Sequence, residues 1–243
     1  MWKSLTKFIH RENSIIGAAG ILVFTMLLSN VLGLLRDHFL AKHISTYYLD
    51  IYYAAFRIPD LIFNILIFGA ISAAFIPVFT SYISKNEEKT GWQVANSLIT
   101  ISAAILTAIA ILFYFLMPYF TPILVPKFDP VRLEQTTRLA KILMLTPIFF
   151  SASYFVGGIL NSYKRFIAYS FAPIVYNLAI IFGAIIVAPI WGINGLVWCV
   201  VAGSFLHMLI QIPTAYSLGY RFSPSLNISL PGVRRVFRLM VPR

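Results

Sequence analysis

Charged residues are scarce in this sequence. Asp, Glu, Lys and Arg make up 11% of its 243 residues, whereas a soluble domain averages roughly 25%. Hydrophobic residues make up 59%. A chain with so little polar surface is not expected to stay dissolved in water, so the composition predicts an integral membrane protein.

Cysteine and the common enzyme motifs are also nearly absent. Cys199 is the only cysteine, so no disulfide can form within the chain, and we interpret it as a packing residue. The sequence contains no H-E-x-x-H, no P-loop, no G-x-S-x-G and no cysteine cluster. We therefore expect neither an enzyme nor a cofactor or metal site. His207, a lone histidine in an apolar run, is interpreted as structural.

Long uncharged runs predict an all-α membrane protein. A helix needs about 20 apolar residues to cross roughly 30 Å of hydrocarbon. Six spans are predicted, at about 14–35, 61–84, 93–117, 142–163, 170–188 and 194–218. The pair Pro118 and Pro122 is predicted to end the third helix. The segment Pro189–Gly195 reads as the turn between the fifth and sixth.

Basic residues outnumber acidic ones by 19 to 8, and they lie in short segments between the runs. This distribution favours a membrane protein over a nucleic-acid-binding one. With the N-terminus inside, the cytoplasmic segments hold 12 of the 19 basic residues, and the opposite side holds seven. The positive-inside rule therefore predicts a cytoplasmic N-terminus.

The last segment, 222–243, is basic and amphipathic. Arg234, Arg235 and Arg238 alternate there with apolar residues. Such a segment lies on the inner membrane surface or leads into a seventh helix. Because the chain stops at Arg243 without a closing element, we expect a truncated or split protein.

Ionisable residues gather around the junction between the first two predicted spans. They are Arg36, Asp37, Asp50, Arg57 and Asp60, with Asp50 expected in the connection. Ionisable groups at membrane depth are costly and tend to face a water-filled cavity or one another. These residues are therefore either interfacial anchors or the wall of a partly cationic pocket for an anionic headgroup. Arginine suits such a pocket because its planar fork binds phosphate and keeps its charge.

Amides, glycines and prolines within the spans suggest contacts and bends. Asn64, Asn161, Asn177 and Gln211 are interpreted as interhelical hydrogen-bonding residues or as cavity lining. Gly33 and Gly69 are expected to let helices approach closely. Pro59, Pro77 and Pro173 are expected to bend helices, with either a static or a hinge role.

Four blocks of the sequence resemble the MviN/MurJ lipid II flippases, members of the MOP exporter superfamily. They are Ser29–Asp37, Asp50–Leu61, Gly69–Val78, and Gly158–Asn161 followed by Arg165, Phe166, Phe171–Pro173 and Asn177. Each block alone is a weak signal. Four blocks in order and in register over most of the chain are a specific one.

The resemblance implies the N-terminal lobe of a MOP-type transporter. In that family, the undecaprenyl-pyrophosphate-linked peptidoglycan precursor, lipid II, crosses the bacterial cytoplasmic (inner) membrane by alternating access between two lobes. The implied partners are a lipid-linked glycan precursor, membrane lipids and a C-terminal lobe from the same or a second chain. Nucleic acid is not an expected partner.

The resemblance also assigns candidate cavity residues. Arg36, Asp37, Asp50, Arg57 and Asp60 match its polar positions, and Asn30 and Asn64 stand where the family often has arginine. Phe63 and Phe68 are further departures, since they replace an arginine and an acidic residue. The departures leave two alternatives open: an exporter of another polyprenyl-linked polysaccharide, and a membrane scaffold that does not transport.

Overall fold

The computed structural model describes residues 15–65 and 74–240, and the regular structure in these ranges is helical throughout. In chain order the α-helices are α1 Ile15–His43, α2 Thr46–Phe63, α3 Ile76–Ser84, α4 Glu88–Leu124, α5 Pro130–Leu143, α6 Thr146–Ser162, α7 Phe166–Phe182, α8 Ala188–Leu209, α9 Ile212–Ser217 and α10 Pro231–Met240. A π-helix, Gly183–Val187, joins α7 to α8. The predicted all-α fold class is confirmed.

Four stretches of the described ranges are helical, long and apolar enough to cross a bilayer. They are Leu22–His43, Glu88–Leu124, Pro130–Ser162 and Phe166–Ser217. Large apolar side chains on them point outward: Leu34 is 73% exposed and Ile123 is 75% exposed. Side chains of this kind belong in lipid, and the chain is a multi-pass membrane protein. The count of six spans stays a prediction, because part of the second span lies outside the described residues.

The chain reverses direction at one residue near the start of α8. Gly192 has φ 64° and ψ −160°, a conformation that L side chains rarely adopt. On either side of it, a Cβ built at Gly195 would lie 2.8 Å from Val187 Cγ1, and one at Gly183 would lie 2.6 Å from Cys199 Cβ. Both pairs are centred on residue 191, next to Gly192, and contacts that pair residues in this way define an antiparallel helical hairpin. Its turn falls within the segment predicted from the sequence.

Small residues bring the two helices of this hairpin together. Gly195, Cys199 and Gly203 recur every four residues on α8, and Gly203 meets Ala179 of α7, with its built Cβ 3.0 Å from Ala179 Cβ. Residues four apart share one helix face, so the three positions form one small-residue stripe. Cys199 packs here, as expected.

The first two helices extend into the charged region. α1 continues to His43 rather than stopping near residue 35, and α2 begins at Thr46 rather than near residue 61. Asp50 therefore lies on a helix, which corrects its expected place in the connection. The predicted spans end where charged residues begin. A helix can continue past a charged residue when the side chain of that residue has a partner.

The prediction that Pro118 and Pro122 end the third helix is wrong. α4 runs through both prolines to Leu124. Each proline lacks one backbone donor, but neighbouring bonds persist: Thr121 Oγ1 donates to Met117 O at 2.9 Å, and Val125 N donates to Thr121 O at 3.1 Å. The last turn of α4 therefore stays helical.

The helices pack as a chain of neighbours around a shared apolar core. α1 packs mainly on α7, and α8 lies between α7 and α6. On the other side, α4 packs on α6 and α5, and α5 packs on α2. Phe75, Phe79 and Phe155 form an aromatic cluster within the core, with ring centroids 5.1 and 5.4 Å from Phe75. One face of α1 is left without a helical neighbour in the described ranges.

The final segment folds back onto the start of α4. Asn96 Nδ2 donates to Arg221 O at 3.0 Å, and Ser97 Oγ donates to Ser225 Oγ at 3.0 Å. α10 follows, with Val233 and Val236 buried against the bundle. Its arginines, Arg234, Arg235 and Arg238, are exposed. The membrane-surface position of this segment and the seventh helix beyond it stay predictions.

Candidate functional site

Arg36 lies in the interior of α1 and is held by two partners. Its Nη2 lies 2.9 Å from Asp37 Oδ1, and its Nε donates to the same oxygen at 3.0 Å. Its Nη1 donates to Asn177 Oδ1 on α7 at 3.1 Å. The Arg36 side chain is 28% exposed, whereas that of Asp37 is 49% exposed. Two partners on fixed helices hold the guanidinium in one orientation.

Arg36 and Asp60 line one cavity of about 270 Å³, which we name the Arg36 cavity. Its wall comes from α1, α2 and α7. The lining residues are Arg36, Leu40, Tyr52, Tyr53, Phe56, Asp60, Tyr176 and Ile180. The structure therefore brings two of the predicted ionisable residues together, with Asp37 bonded directly to one of them.

Three tyrosines give the Arg36 cavity its remaining polar character. Tyr52 of α2 is buried, Tyr53 is exposed, and Tyr176 of α7 lines the opposite wall. Within the described residues, Asp60 has no ion-pair partner. The cavity thus offers one oriented guanidinium, one open carboxylate and phenol groups to a polar ligand.

Arg57 and Asp50 lie on α2 but do not line this cavity. Arg57 Nη1 donates to Leu124 O, the last carbonyl of α4, at 2.9 Å. Asp50 pairs with Arg132 of α5 at 3.5 Å, and that guanidinium lies 4.3 Å from the centre of the Tyr47 ring. This corrects the expectation of one pocket holding all five ionisable residues. Two of them connect helices instead.

Asn30 lines a second cavity, of about 330 Å³, between α1 and α7. We name it the Asn30 cavity; its lining residues are Leu22, Val23, Thr25, Met26, Ser29, Asn30, Tyr154, Tyr169, Ser170, Pro173 and His207. Asn64 is exposed at the end of α2 and lines neither cavity. Its predicted role in binding stays a prediction.

Asn177 separates the two cavities. Its Oδ1 accepts from Arg36 on one side, and its Nδ2 donates to Ser29 O on the other at 3.3 Å. Ser29 belongs to the wall of the Asn30 cavity, and Arg36 belongs to the wall of the other. Both cavities therefore open along the contact between α1 and α7, with one amide bridging the helices between them.

The predicted hinge and packing residues have different surroundings. A Cβ at Gly33 would meet no atom within 4 Å, so Gly33 is not at a close helix contact, contrary to expectation. Pro59 is buried inside α2, and Pro77 lies in the first turn of α3. Pro173 lies inside α7 and lines the Asn30 cavity. Gly69 falls outside the described residues, and the hinge roles stay predictions.

The roles of Asn177 and the tyrosines are not evident from the sequence. Asn177 stands out there as an intramembrane amide and as part of the fourth resembling block, and nothing in the sequence assigns a role to Tyr52, Tyr53 or Tyr176. The available signal was a polar side chain on an otherwise apolar run, which needs a partner. Within residues 15–65 and 74–240, no group of three or more His, Cys, Asp or Glu side chains could hold a metal ion.

Apolar helices packed around polar cavities define an all-α membrane transporter fold. A solved structure titled "Lipid II flippase MurJ, inward closed conformation" has this fold, with a TM-score of 0.74 at 22% identity. The match covers 90% of this chain and 46% of that one. A family model described as "Lipid II flippase MurJ" matches residues 44–243. The chain belongs to this family, which confirms the resemblance seen in the sequence.

Curated relatives agree with the family assignment. The lipid II flippase MurJ of Burkholderia cenocepacia is 29% identical over 226 residues, covering 89% of this chain and 44% of the relative. The probable lipid II flippase MurJ of Haemophilus influenzae is 31% identical over 230 residues, covering 89% and 45%. The chain therefore spans less than half the length of these relatives.

Proposed function

We propose that the chain forms the N-terminal lobe of a flippase that moves lipid II from the inner to the outer leaflet of the bacterial cytoplasmic membrane. Transport proceeds by alternating access, with the N-terminus in the cytoplasm. The observation that carries this proposal is the Arg36 cavity, which presents a fixed guanidinium and a carboxylate between apolar helices. Family membership supports the same function.

The cavity suits the chemistry of a pyrophosphate headgroup. An unpaired charge in hydrocarbon costs many kcal/mol, so such a headgroup cannot cross the bilayer bare. Arg36 binds a phosphate oxygen through charge-assisted hydrogen bonds, since Asp37 and Asn177 orient its fork. Asp60 and the phenols of the wall accept and donate hydrogen bonds to sugar hydroxyls. The isoprenoid tail stays in lipid.

The size of the cavity supports a partner lobe. A volume of about 270 Å³ holds a pyrophosphate group but not a glycopeptide as well. The rest of the headgroup therefore needs further wall, which a C-terminal lobe provides on the unpartnered face of α1. That lobe belongs to the same chain or to a second one.

Charge suggests how outward movement is driven. A pyrophosphate is anionic, and each negative charge moved outward against an inside-negative potential gains about 2.3 kcal/mol per 100 mV. The potential thus favours export of the headgroup. The cavity has only to lower the barrier between the leaflets.

The test is Arg36→Ala in cells that depend on this chain for cell-wall synthesis. We expect the fraction of lipid-linked precursor labelled by an external membrane-impermeant amine reagent to fall about tenfold or more, because a charged hydrogen-bond donor is lost. The amount of chain in the membrane should not change. Normal labelling with Arg36→Ala would refute the proposal.

Arg138→Ala is the matched control. Arg138 is also an arginine on a helix, but its side chain is 58% exposed and pairs with Glu134 at 3.2 Å. It lines neither the Arg36 cavity nor the Asn30 cavity. Removing it should leave precursor labelling within about twofold of the wild type, since an exposed pair contributes little.

A second candidate function, export of another polyprenyl-linked polysaccharide, is favoured by one observation. The Arg36 guanidinium is matched by two nearby carboxylates, Asp37 and Asp60, so this wall has no net positive charge. A headgroup with fewer negative charges would suit it better. Offering lipid II and a polyprenyl-linked polysaccharide unit to the reconstituted protein, and measuring flipping of each, separates the two.

A further inference from the structure

A buried polar network lies where α6 meets the end of α8. His207 is 5% exposed, and Ser153 and Gln211 are 0% exposed. Ser153 Oγ lies 2.7 Å from His207 Nδ1 and accepts from Gln211 Nε2 at 2.6 Å. Ser153 Oγ also lies 3.1 Å from His207 O, to which it donates. The Ser153 hydroxyl thus lies at the centre of the network and contacts the other two residues.

The network accommodates a charged imidazole whichever ring nitrogen of His207 carries the single proton of the neutral ring. Gln211 Nε2 donates to the His207 carbonyl at 3.0 Å, so the Ser153 hydroxyl can donate either to Nδ1 or to that carbonyl. In the doubly protonated ring, Nδ1 donates to Ser153 Oγ and Ser153 donates to the carbonyl. Nε2 has no hydrogen-bond partner among the described residues. The imidazolium therefore keeps every bond of the network and has its Nε2–H free for a ligand.

His207 also lines the Asn30 cavity, which carries no Asp, Glu, Lys or Arg on its wall. The groups facing it are hydroxyls and an amide from α1, and phenols and a hydroxyl from α6 and α7. The titratable ones are Tyr154 and Tyr169. Tyr154 stacks on the imidazole with ring centroids 6.0 Å apart. His207 is thus the basic group of this cavity.

We propose that the Asn30 cavity is a second binding site for the phosphate of a lipid-linked headgroup, and that His207 binds a proton there when the phosphate arrives. This inference rests on the proposed function. A lone imidazolium in this site would be a buried charge without a partner, which is costly. The phosphate supplies the missing opposite charge. A proton from water adds to the unprotonated ring nitrogen, and the Nε2–H of the imidazolium donates to a phosphate oxygen.

The arrangement of the two cavities gives this second site a place in transport. Both lie along the contact between α1 and α7, and Asn177 bridges the helices between them. A headgroup passing along this contact meets a permanent cation at Arg36 and a conditional one at His207. The second site holds the phosphate only while His207 is protonated. Loss of that proton therefore releases the phosphate.

The test measures binding and proton uptake by the purified full chain in lipid nanodiscs, with undecaprenyl pyrophosphate as the probe. A pH-indicator dye in weak buffer reports protons taken up for each lipid bound. For the wild type we expect binding about tenfold weaker at pH 8 than at pH 6, because the protonated form is the one that binds. The probe's own titration adds an equal background in every variant.

His207→Asn is the informative variant, since its amide places a donor where Nδ1 lies and cannot take up a proton. We expect it to lose the proton uptake that exceeds the background and to bind with a flatter pH dependence. His43→Asn, an exposed histidine at the end of α1, serves as the matched control and should behave as the wild type.

Proton uptake by His207→Asn equal to that of the wild type would overturn this inference and leave the proposed function standing. Failure of the wild type to bind the probe at all would count against both. If His207→Asn does not fold, the imidazole signals of ¹³C-histidine-labelled wild type give the answer by NMR. A shift to the imidazolium position on adding the probe supports the inference, and unchanged signals refute it.

Discussion

The two sides of α7 differ in how they meet their neighbours. Toward α8, small residues bring the helices so close that a Cβ at Gly183, in the π-helix that continues α7, would lie 2.6 Å from Cys199 Cβ. Toward α1, the contact leaves two cavities and is bridged by Asn177. One helix thus joins a dense packing surface to an open polar one.

This division has a physical purpose in a membrane. Helices in lipid gain little from burying apolar side chains against each other, so close packing of small residues holds them together. The dense side of α7 therefore fixes the position of the helix. The open side can then carry Asn177 in a defined place and present it to Arg36.

The largest expected effect comes from filling the dense side. In Gly183→Val the added atoms would overlap Cys199 Cβ and approach Leu196 Cδ1, which lies 3.2 Å from a built Cβ. We expect a loss of about 3 kcal/mol of stability, because overpacking forces backbone shifts. Thermal unfolding of the purified chain in detergent measures it.

Gly33→Val is the matched control for this change. It adds the same atoms on α1, where a Cβ meets nothing within 4 Å. Its unfolding temperature should stay close to that of the wild type. Equal losses from the two variants would mean that the close contact at Gly183 does not set the cost, and the contrast between the two sides of α7 would fail.

A smaller effect is expected on the open side. Asn177→Leu keeps a similar volume but removes both hydrogen bonds, to Arg36 and to Ser29 O. A half-buried guanidinium that loses an acceptor costs about 2 kcal/mol. The loss of stability is therefore moderate. We also expect precursor labelling by the external reagent to fall, because Arg36 is no longer oriented. Unchanged labelling would show that the amide bridge is only structural.

The smallest effect is expected at Arg57, whose role we distinguish from that of Arg36. Arg57→Ala removes the donor to Leu124 O at the end of α4, and Arg57 itself does not line the Arg36 cavity. The expected loss is about 1 kcal/mol in thermal unfolding, with precursor labelling retained. A tenfold loss of labelling would instead place Arg57 in the transport path, as the sequence resemblance implied.

The sequence was a good guide to the fold where local chemistry decides it. The uncharged runs predict helices, and the cluster of proline and glycine around Gly192 predicts the reversal. Helix ends were less accurate, because charges were taken as boundaries. Arg36 and Asp37 are accommodated inside α1 by a bond to Asn177, 141 residues away in sequence from Arg36. Distant partners of this kind leave no local signal.

The candidate site was predictable only in part for the same reason. Arg36, Arg57 and Asp60 look alike in sequence, as charged residues near the ends of apolar runs. Their different roles depend on Leu124 O, 67 residues from Arg57, and on Tyr176, which shares a cavity wall with Asp60. Residue type identified the chemistry, and tertiary packing selected which residues share a cavity.

The one-residue reversal at Gly192 has a consequence for the outer surface of the molecule. A protease needs several extended residues in its cleft, and loop tips are the usual place to find them. Here the chain passes from one span to the next through helical backbone on either side of a single glycine. This end of the hairpin therefore offers no cleavable loop to a protease in the surrounding water.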